Sequence, residues 1–342
     1  MKAIIVQPDE TAPRLEWAAV PDILFTDNEV LVEVAATAVN RADLLQARGL
    51  YPPPPGESDI LGLEISGRIA AVGGKVSGWR IGDRVMALVA GGGYAEKAAV
   101  PSGLLMPLPE SWTFEQGAAI PEVWLTAFVN LFLEGRLAEG ETVLIHAGAS
   151  GVGTAATQLA AVSGAKVLTT AGSEAKLEAC RQYGAALAIH YEERDFAAEI
   201  AAFADGQRSG VDLVLDPVGG DYFERNLMVL NENGRLVKIG LMGGRKAELD
   251  LATVLGKSLR IIGSRLRHRP LAEKIEVTTA FRDRFWPLLE AGRLVPVIDS
   301  VFPIQQAQAA HDHMRLNKNI GKIILSLQGH RGSHFYYSLL TI

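Results

Sequence analysis

From about residue 119 to residue 262 the chain alternates short apolar runs with helix-forming stretches. ETVLIHA, TAATQLAAV, AKVLTTA, EAKLEACRQYG, AALAIHY, RDFAAEIAAFA, VDLVLDP, YFERNLMVLNENG, RLVKIGLM, LATVLGKS and LRIIGS follow in that order. A strand that is apolar throughout has no face to offer water, so both faces must be covered, and the helices between such strands supply the cover. The pattern predicts a doubly wound α/β domain, of Rossmann type, built on a parallel sheet over residues 119–267. Ahead of it, β-rich runs at 2–6, 29–35, 62–72, 84–89 and 95–100, broken by Gly, Pro and Asp, predict an antiparallel β domain over 1–118 with one helix at 41–48. Behind it, a helical stretch at 271–294, a strand at 295–301, a helix at 304–317 and a strand at 321–327 do not continue the alternation. They are assigned back to the first domain, so that 1–118 and 268–328 form one discontinuous unit.

Two domains of roughly 150 residues each suit a chain of 342 residues. The last fourteen residues, GHRGSHFYYSLLTI, change character abruptly. Residues 329–342 are read as a tail, an expression scar or read-through rather than a native helix or dimer arm, and are set outside the fold.

Charge and cysteine content narrow the partners. With 33 Lys and Arg against 39 Asp and Glu the net charge is −6, which offers no general attraction for phosphate backbones or anionic lipid, so neither nucleic acid nor membrane is an expected partner. The start, MKAIIVQPDE, has an apolar run too short for a signal-peptide core, and a cytoplasmic protein is expected. The charge-free stretch 142–165 is interrupted by Gly148, Ser150, Gly151 and Gly153 and reads as strand, turn and helix rather than a membrane span. A single cysteine, Cys180, excludes an internal disulfide and any site needing two thiolates. Cys180 itself reads as a small buried apolar residue.

The turn His146-Ala-Gly-Ala-Ser-Gly-Val-Gly153 between an apolar strand and an Ala-rich helix is the strongest site signal. Small residues let the backbone turn sharply and approach a pyrophosphate, which then rests on amide N–H groups at the positive end of the helix. Ser150 stands where the usual glycine fingerprint has its middle glycine. A plain strand-to-helix turn is the alternative, but the order of strand, turn, helix and second strand predicts dinucleotide binding at Ser150, Gly151, Val152 and Gly153. An NAD site places an acid about 20 residues beyond the glycines, whereas this second strand ends Thr169-Thr170-Ala171-Gly172-Ser173. Ser173 and Lys176 could hold a 2′-phosphate, which points to NADP; Glu174 leaves NAD open.

Further segments carry a resemblance: NRAD at 40–43, GLYPPPPG at 49–56, LGLEISG at 61–67, IPEVWLTA at 120–127, the 146–153 turn, GLMGG at 240–244 and NIGKI at 319–323. From residue 1 to about 327, in order, they resemble the zinc-independent quinone oxidoreductases of the medium-chain dehydrogenase/reductase superfamily, and most the tumour-suppressor-inducible branch. The resemblance implies a GroES-like β domain built from both chain ends, a Rossmann domain between, NADPH in the cleft and a homodimer formed through the Rossmann sheets. It also implies Asn40 and Tyr51 near the nicotinamide as catalytic residues, and Ser173, Lys176 and Tyr191 at the adenosine phosphate. Gly240, Leu241, Met242, Ser264 and Leu266 would flank the nicotinamide, with Lys322 at the cleft. Asn40 could equally cap the 41–48 helix, Tyr51 anchor its proline-rich loop, Lys176 be a solvated helix residue and Tyr191 pack at a sheet edge.

Where zinc alcohol dehydrogenases of the same superfamily present a Cys and then a His-Glu pair, this chain has Asn40 and Leu63-Glu64. One carboxylate cannot hold a Lewis-acid zinc that needs three protein ligands, so no metal is expected. His146, His190, His311 and His313 have no ligand-like partner set and read as structural. The activity implied is NADPH-dependent quinone reduction by positioning, with no obligatory side-chain acid. The alternatives are a reductase of α,β-unsaturated aldehydes or ketones and, in another class, a non-catalytic NADPH-binding or RNA-associating protein of crystallin type.

Overall fold

In the 119–262 region the apolar runs become strands and the intervening stretches, with one exception, helices, as the two-sided burial demands. The structure is a computed structural model that describes residues 1–7, 13–203 and 210–328; the 329–342 tail lies outside the described residues. Its first part comprises β1 (Lys2–Gln7), β2 (Arg14–Ala19), β3 (Glu29–Val39), α1 (Arg41–Ala47), β4 (Glu64–Val72), β5 (Arg84–Leu88), β6 (Lys97–Pro101), β7 (Leu105–Pro107), α2 (Phe114–Ala118) and α3 (Pro121–Phe128). There follow β8 (Thr142–Ile145), α4 (Gly151–Val162), β9 (Lys166–Ala171), α5 (Glu174–Gln182), β10 (Leu187–His190), α6 (Phe196–Phe203), β11 (Val211–Asp216), α7 (Phe223–Val229), β12 (Leu230–Lys238), α8 (Leu251–Gly256) and β13 (Arg260–Gly263). The chain closes with α9 (Leu271–Glu290), β14 (Ile298–Pro303), α10 (Ala307–Arg315) and β15 (Lys322–Ser326).

The six strands β8 to β13 form one parallel sheet in the order β10-β9-β8-β11-β12-β13. Strand order reverses outward from β8, so the crevice beyond the carboxyl ends of β8 and β11 is where such sheets bind ligands. The second sheet has seven strands in the order β14-β15-β3-β4-β5-β7, with β6 also on β3. Strands β14 and β15 thus join those of the amino-terminal half, β15 antiparallel to β3.

Two features depart from the sequence expectation. Strand β2 was not anticipated; it pairs antiparallel with β1 as a separate two-stranded ribbon. The segment YFERNLMVLNENG was read as one helix, but α7 stops at Val229 and Leu230 already lies opposite Val211 in the sheet. The backbone bends through Asn233, at φ 61°, and re-enters beside Leu213 at Arg235. Asn tolerates that left-handed geometry, which lets turn residues sit inside a strand.

The largest core cluster is not confined to either sheet. Ala36, Ala38, Met86 and Leu88 of the antiparallel sheet and Val143, Ile145 and Leu213 of the parallel one belong to it, joined through Trp124 and Phe128 of α3 and Phe281 and Phe285 of α9. The four aromatic rings meet edge to face or tilted at centroid separations of 5.9 to 6.4 Å, the geometry their quadrupoles favour.

Candidate active site at the glycine turn

The glycine turn lies between β8 and α4. Ser150 is the N-cap of α4, and its Oγ accepts the Gly153 N–H at 3.0 Å. A serine in the fingerprint's middle glycine position therefore satisfies one of the free amides that open a helix. Gly153 is required by crowding: a Cβ there would lie 2.3 Å from the Ala147 carbonyl oxygen and 2.6 Å from the Gly148 carbonyl carbon. This is the close helix-to-strand approach of a dinucleotide turn. The turn is also tied to the carboxyl-terminal strand, since Ser150 bridges to Gly321 and the Gly321 N–H donates to the Ala149 carbonyl at 2.8 Å. Position 151 touches both halves of the molecule: a Cβ there would meet Lys322 Cδ at 2.7 Å and Val123 Cγ1 of α3 at 3.1 Å.

Beside the turn lies a buried charge cluster. The Lys322 ammonium donates to the Val39 carbonyl at 3.0 Å and to Asn40 Oδ1 at 2.7 Å, and pairs with Glu64 Oε1 at 2.7 Å. Asn40 Nδ2 donates to the same Glu64 oxygen at 2.9 Å, and the Glu122 N–H to Glu64 Oε2 at 2.8 Å. Asn40 is thus a member of the cluster. The opening of α1 is secured instead by Asp43, whose carboxylate accepts the Asn40 N–H at 2.8 Å. Tyr94 donates its hydroxyl to Asp43 at 3.2 Å and lies 3.1 Å from His311 Nε2. Burial raises the Asp43 carboxyl to about 6 and lowers His311 to about 3.

Tyr51 faces the cluster from the proline-rich loop. Its hydroxyl is 3.2 Å from His268 Nδ1, and the Arg267 guanidinium lies over its ring, 5.4 Å from the centroid. Burial, and then the nearby Glu122 charge, raise the Tyr51 phenol. Neither His268 nor Arg267 was singled out from the sequence, because each reaches Tyr51 across more than two hundred residues of chain.

The far end of the crevice holds the other expected phosphate ligands. Lys176 donates to the Asn317 backbone carbonyl, and Arg41 to the Asn317 side chain. Arg41 also depresses the Lys176 ammonium, after burial; two cations thus converge on one segment, and Arg41 was missed in the sequence. Tyr191 lies across the end of β9, where a Cβ on Gly172 would come within 2.6 Å of its hydroxyl. Ser173 is the N-cap residue of α5 but makes no side-chain capping bond. Glu174, the residue that left NAD open, pairs with Arg181 at 2.9 Å.

The remaining expected residues follow β12 and β13. Gly240 is pressed against Pro217, whose carbonyl accepts the Met242 N–H at 3.2 Å, while Leu241 and Met242 are exposed. The Ser264 hydroxyl is buried with no hydrogen-bond partner among the described residues, and Leu266 belongs to the main core. Beneath the turn His146 bridges Thr170 Oγ1 at 2.9 Å and Asn226 Oδ1 at 2.7 Å, and burial lowers it to about 4. Asn226 in turn donates to Asp216, which pairs with Lys238. Among the described residues no group of three or more His, Cys, Asp or Glu side chains could hold a metal ion, and no helix is long and apolar enough to cross a membrane.

Known proteins share this arrangement. Residues 26–110 match the alcohol dehydrogenase GroES-like domain and residues 151–281 the zinc-binding dehydrogenase family; at the positions described above, however, Lys322 and Asn40 occupy the Glu64 carboxylate, and the donors do not fit zinc. A quinone oxidoreductase of Mus musculus is 33% identical over 302 residues, covering 88% of this chain and 89% of that protein. The Escherichia coli quinone oxidoreductase complexed with NADPH superposes with a TM-score of 0.84 at 28% identity, over 95% of this chain and 100% of that one. A CurK enoyl reductase does so with a TM-score of 0.80 at 28% identity, over 95% and 98%. With a GroES-like β domain, a Rossmann sheet, a glycine turn in the crevice between them and relatives matched over most of their length, the chain belongs to the medium-chain dehydrogenase/reductase superfamily of oxidoreductases.

Proposed function

We propose that the protein is an NADPH-dependent reductase of quinones. The observation that supports this reading is the buried Lys322, whose ammonium is held by Asn40 and Glu64 and whose side-chain stem lies against Gly151 of the glycine turn. It ties the carboxyl-terminal strand and its cation to the turn whose amide N–H groups would receive a pyrophosphate. Ser150, Gly151, Val152 and Gly153 would cradle that pyrophosphate, and Ser173, Lys176 and Tyr191 the adenosine phosphate. Bound there, NADPH would supply a hydride from its nicotinamide. Gly240 to Met242 and the 264–266 segment would border the ring, and Tyr51 and Asn40 would orient the acceptor. The polypeptide's own part is chiefly positioning, which converts a bimolecular encounter into a local one. The relative named as an enoyl reductase favours a second reading, reduction of α,β-unsaturated carbonyls at the same site.

NADPH oxidation measured against a quinone panel and an enone panel tests both readings, and turnover of neither class would sink them. Lys176→Ala should weaken NADPH roughly ten- to hundredfold, since a charge-assisted contact contributes about 1.5 to 3 kcal/mol, while NADH binding stays nearly constant. Equal losses for both cofactors would remove Lys176 from the phosphate site. The reading also includes a homodimer. Strand β13 is an open edge of the parallel sheet, with Ile261 exposed on it and Leu251 and Leu255 exposed on neighbouring α8. Such an edge is disposed to pair with its own copy about a two-fold axis, and light scattering at micromolar concentration should return a dimer mass; a monomer mass would refute it.

A further inference from the structure

We propose that Glu122, the second residue of α3, is the proton donor to the reduced acceptor, an inference that rests on the reductase reading above. Two carboxyl groups share this site, Glu64 fully buried and Glu122 partly so, and their surroundings differ sharply. Glu64 is supplied with three donors: the Lys322 ammonium, the Asn40 amide and the Glu122 backbone N–H. Glu122 Oε2 is buried with no hydrogen-bond partner among the described residues. Two negative charges in one desolvated site are costly, and the proton settles on the carboxyl that has the fewer donors. Burial first, and then the charge on Glu64, push Glu122 up to about 8.

Position suits the role. Val123, the next residue, reaches the space at Gly151 in the glycine turn, and Tyr51 is close enough for its phenol to feel the Glu122 charge. The charged and titratable groups facing Glu122 come from five segments: Glu64 on β4, Asp43 on α1, Lys322 on β15, Arg267 beyond β13, and Tyr51 in its loop. Lys322 and Arg267 are the two cations among them, and they would stabilise the carboxylate left after donation.

The step balances as follows. The acceptor gains two electrons and one hydrogen nucleus as hydride from the dihydronicotinamide, which is oxidised, and negative charge collects on the acceptor oxygen. The O–H bond of the Glu122 carboxyl then breaks as a new bond forms from that proton to the anionic oxygen of the quinol anion, giving the quinol, or to the enolate of a reduced enone, giving the saturated carbonyl. Glu122 remains as a carboxylate until water returns a proton. A quinol anion is a stable product that can draw protons from solvent, whereas an enolate depends more on a positioned acid.

The test begins without cofactor. Infrared difference spectra of the NADPH-free protein should show a protonated-carboxyl band that titrates with a midpoint near pH 8 and is missing in Glu122→Gln. In turnover, Glu122→Gln should lower kcat about a hundredfold with an enone and about tenfold or less with a quinone. It should also abolish the fall in rate expected of the wild type above about pH 8, where Glu122 loses its proton. Glu122→Asp should restore part of that pH limb, and NADPH fluorescence titration verifies that each variant is folded. An unchanged carboxyl band, or a wild-type pH profile in Glu122→Gln, would overturn the assignment. A band that titrates as expected in a wild type that turns over neither substrate class would instead sink the reductase reading, and with it the donor role.

Discussion

Replacing Lys322 by Met should destabilise the folded protein by about 3 to 5 kcal/mol, the cost of stranding a buried charge whose partner has been removed. The Lys322 side chain is 4% exposed and that of its partner Glu64 is fully buried. With the ammonium gone, Glu64 keeps only the Asn40 amide and the Glu122 N–H, too little for a carboxylate out of reach of water. The double variant Lys322→Met with Glu64→Gln removes both charges and should regain most of the loss, because the two positions are strongly coupled. Urea unfolding of the wild type, Lys322→Met, Glu64→Gln and the double variant gives the cycle. A single Lys322→Met variant within about 0.5 kcal/mol of wild type would mean that the cluster is solvated in a way the structure does not show.

A comparable loss, in binding rather than stability, is expected for Gly153→Val. The added Cβ would overlap the Ala147 and Gly148 backbone, and because backbone cannot rotate aside as a side chain can, α4 must shift away from β8. The amide N–H groups at the start of α4 move with it, and NADPH affinity should fall at least about hundredfold, roughly 2.7 kcal/mol. Cofactor fluorescence measures the change. Gly256→Ala serves as control: a Cβ there meets nothing within 4 Å, and inside a helix alanine should raise stability slightly. Retained affinity in Gly153→Val would show that the turn is not the pyrophosphate site.

What was readable in the sequence is what repeats locally. The apolar strands between helices carry their own burial pattern, so the parallel sheet and its β13 edge were visible, and so was the glycine turn, whose eight residues are contiguous. The charge cluster is the opposite case. Glu122 is polarised by residues on β4, α1, β15 and two loops, and no sequence window contains any two of those segments with it. The segment 120–127 could be quoted as a motif, but nothing local distinguished its glutamate from an ordinary acid at a helix start. Arg41 and Asn317 meet across 276 positions. Asn40, by contrast, had two local readings, helix cap and catalytic residue, and neither foresaw that its side chain would hold Lys322 and Glu64. The LNENG stretch failed for another reason: its turn-forming residues lie inside a strand, which residue preference alone assigns elsewhere.

The bridge from Ser150 to Gly321 bears on when the protein becomes competent during synthesis. The glycine turn is translated before the middle of the chain, yet the strand that locks it, and the Lys322 cation beside it, come more than 160 residues later. A ribosome-bound chain can close the whole parallel sheet, β8 to β13, while the turn still lacks Gly321 and Glu64 still lacks its counter-ion. If the turn is the cofactor site proposed above, the nascent Rossmann half would be an incomplete receptor, and cofactor capture would wait until β15 has emerged and paired between β14 and β3.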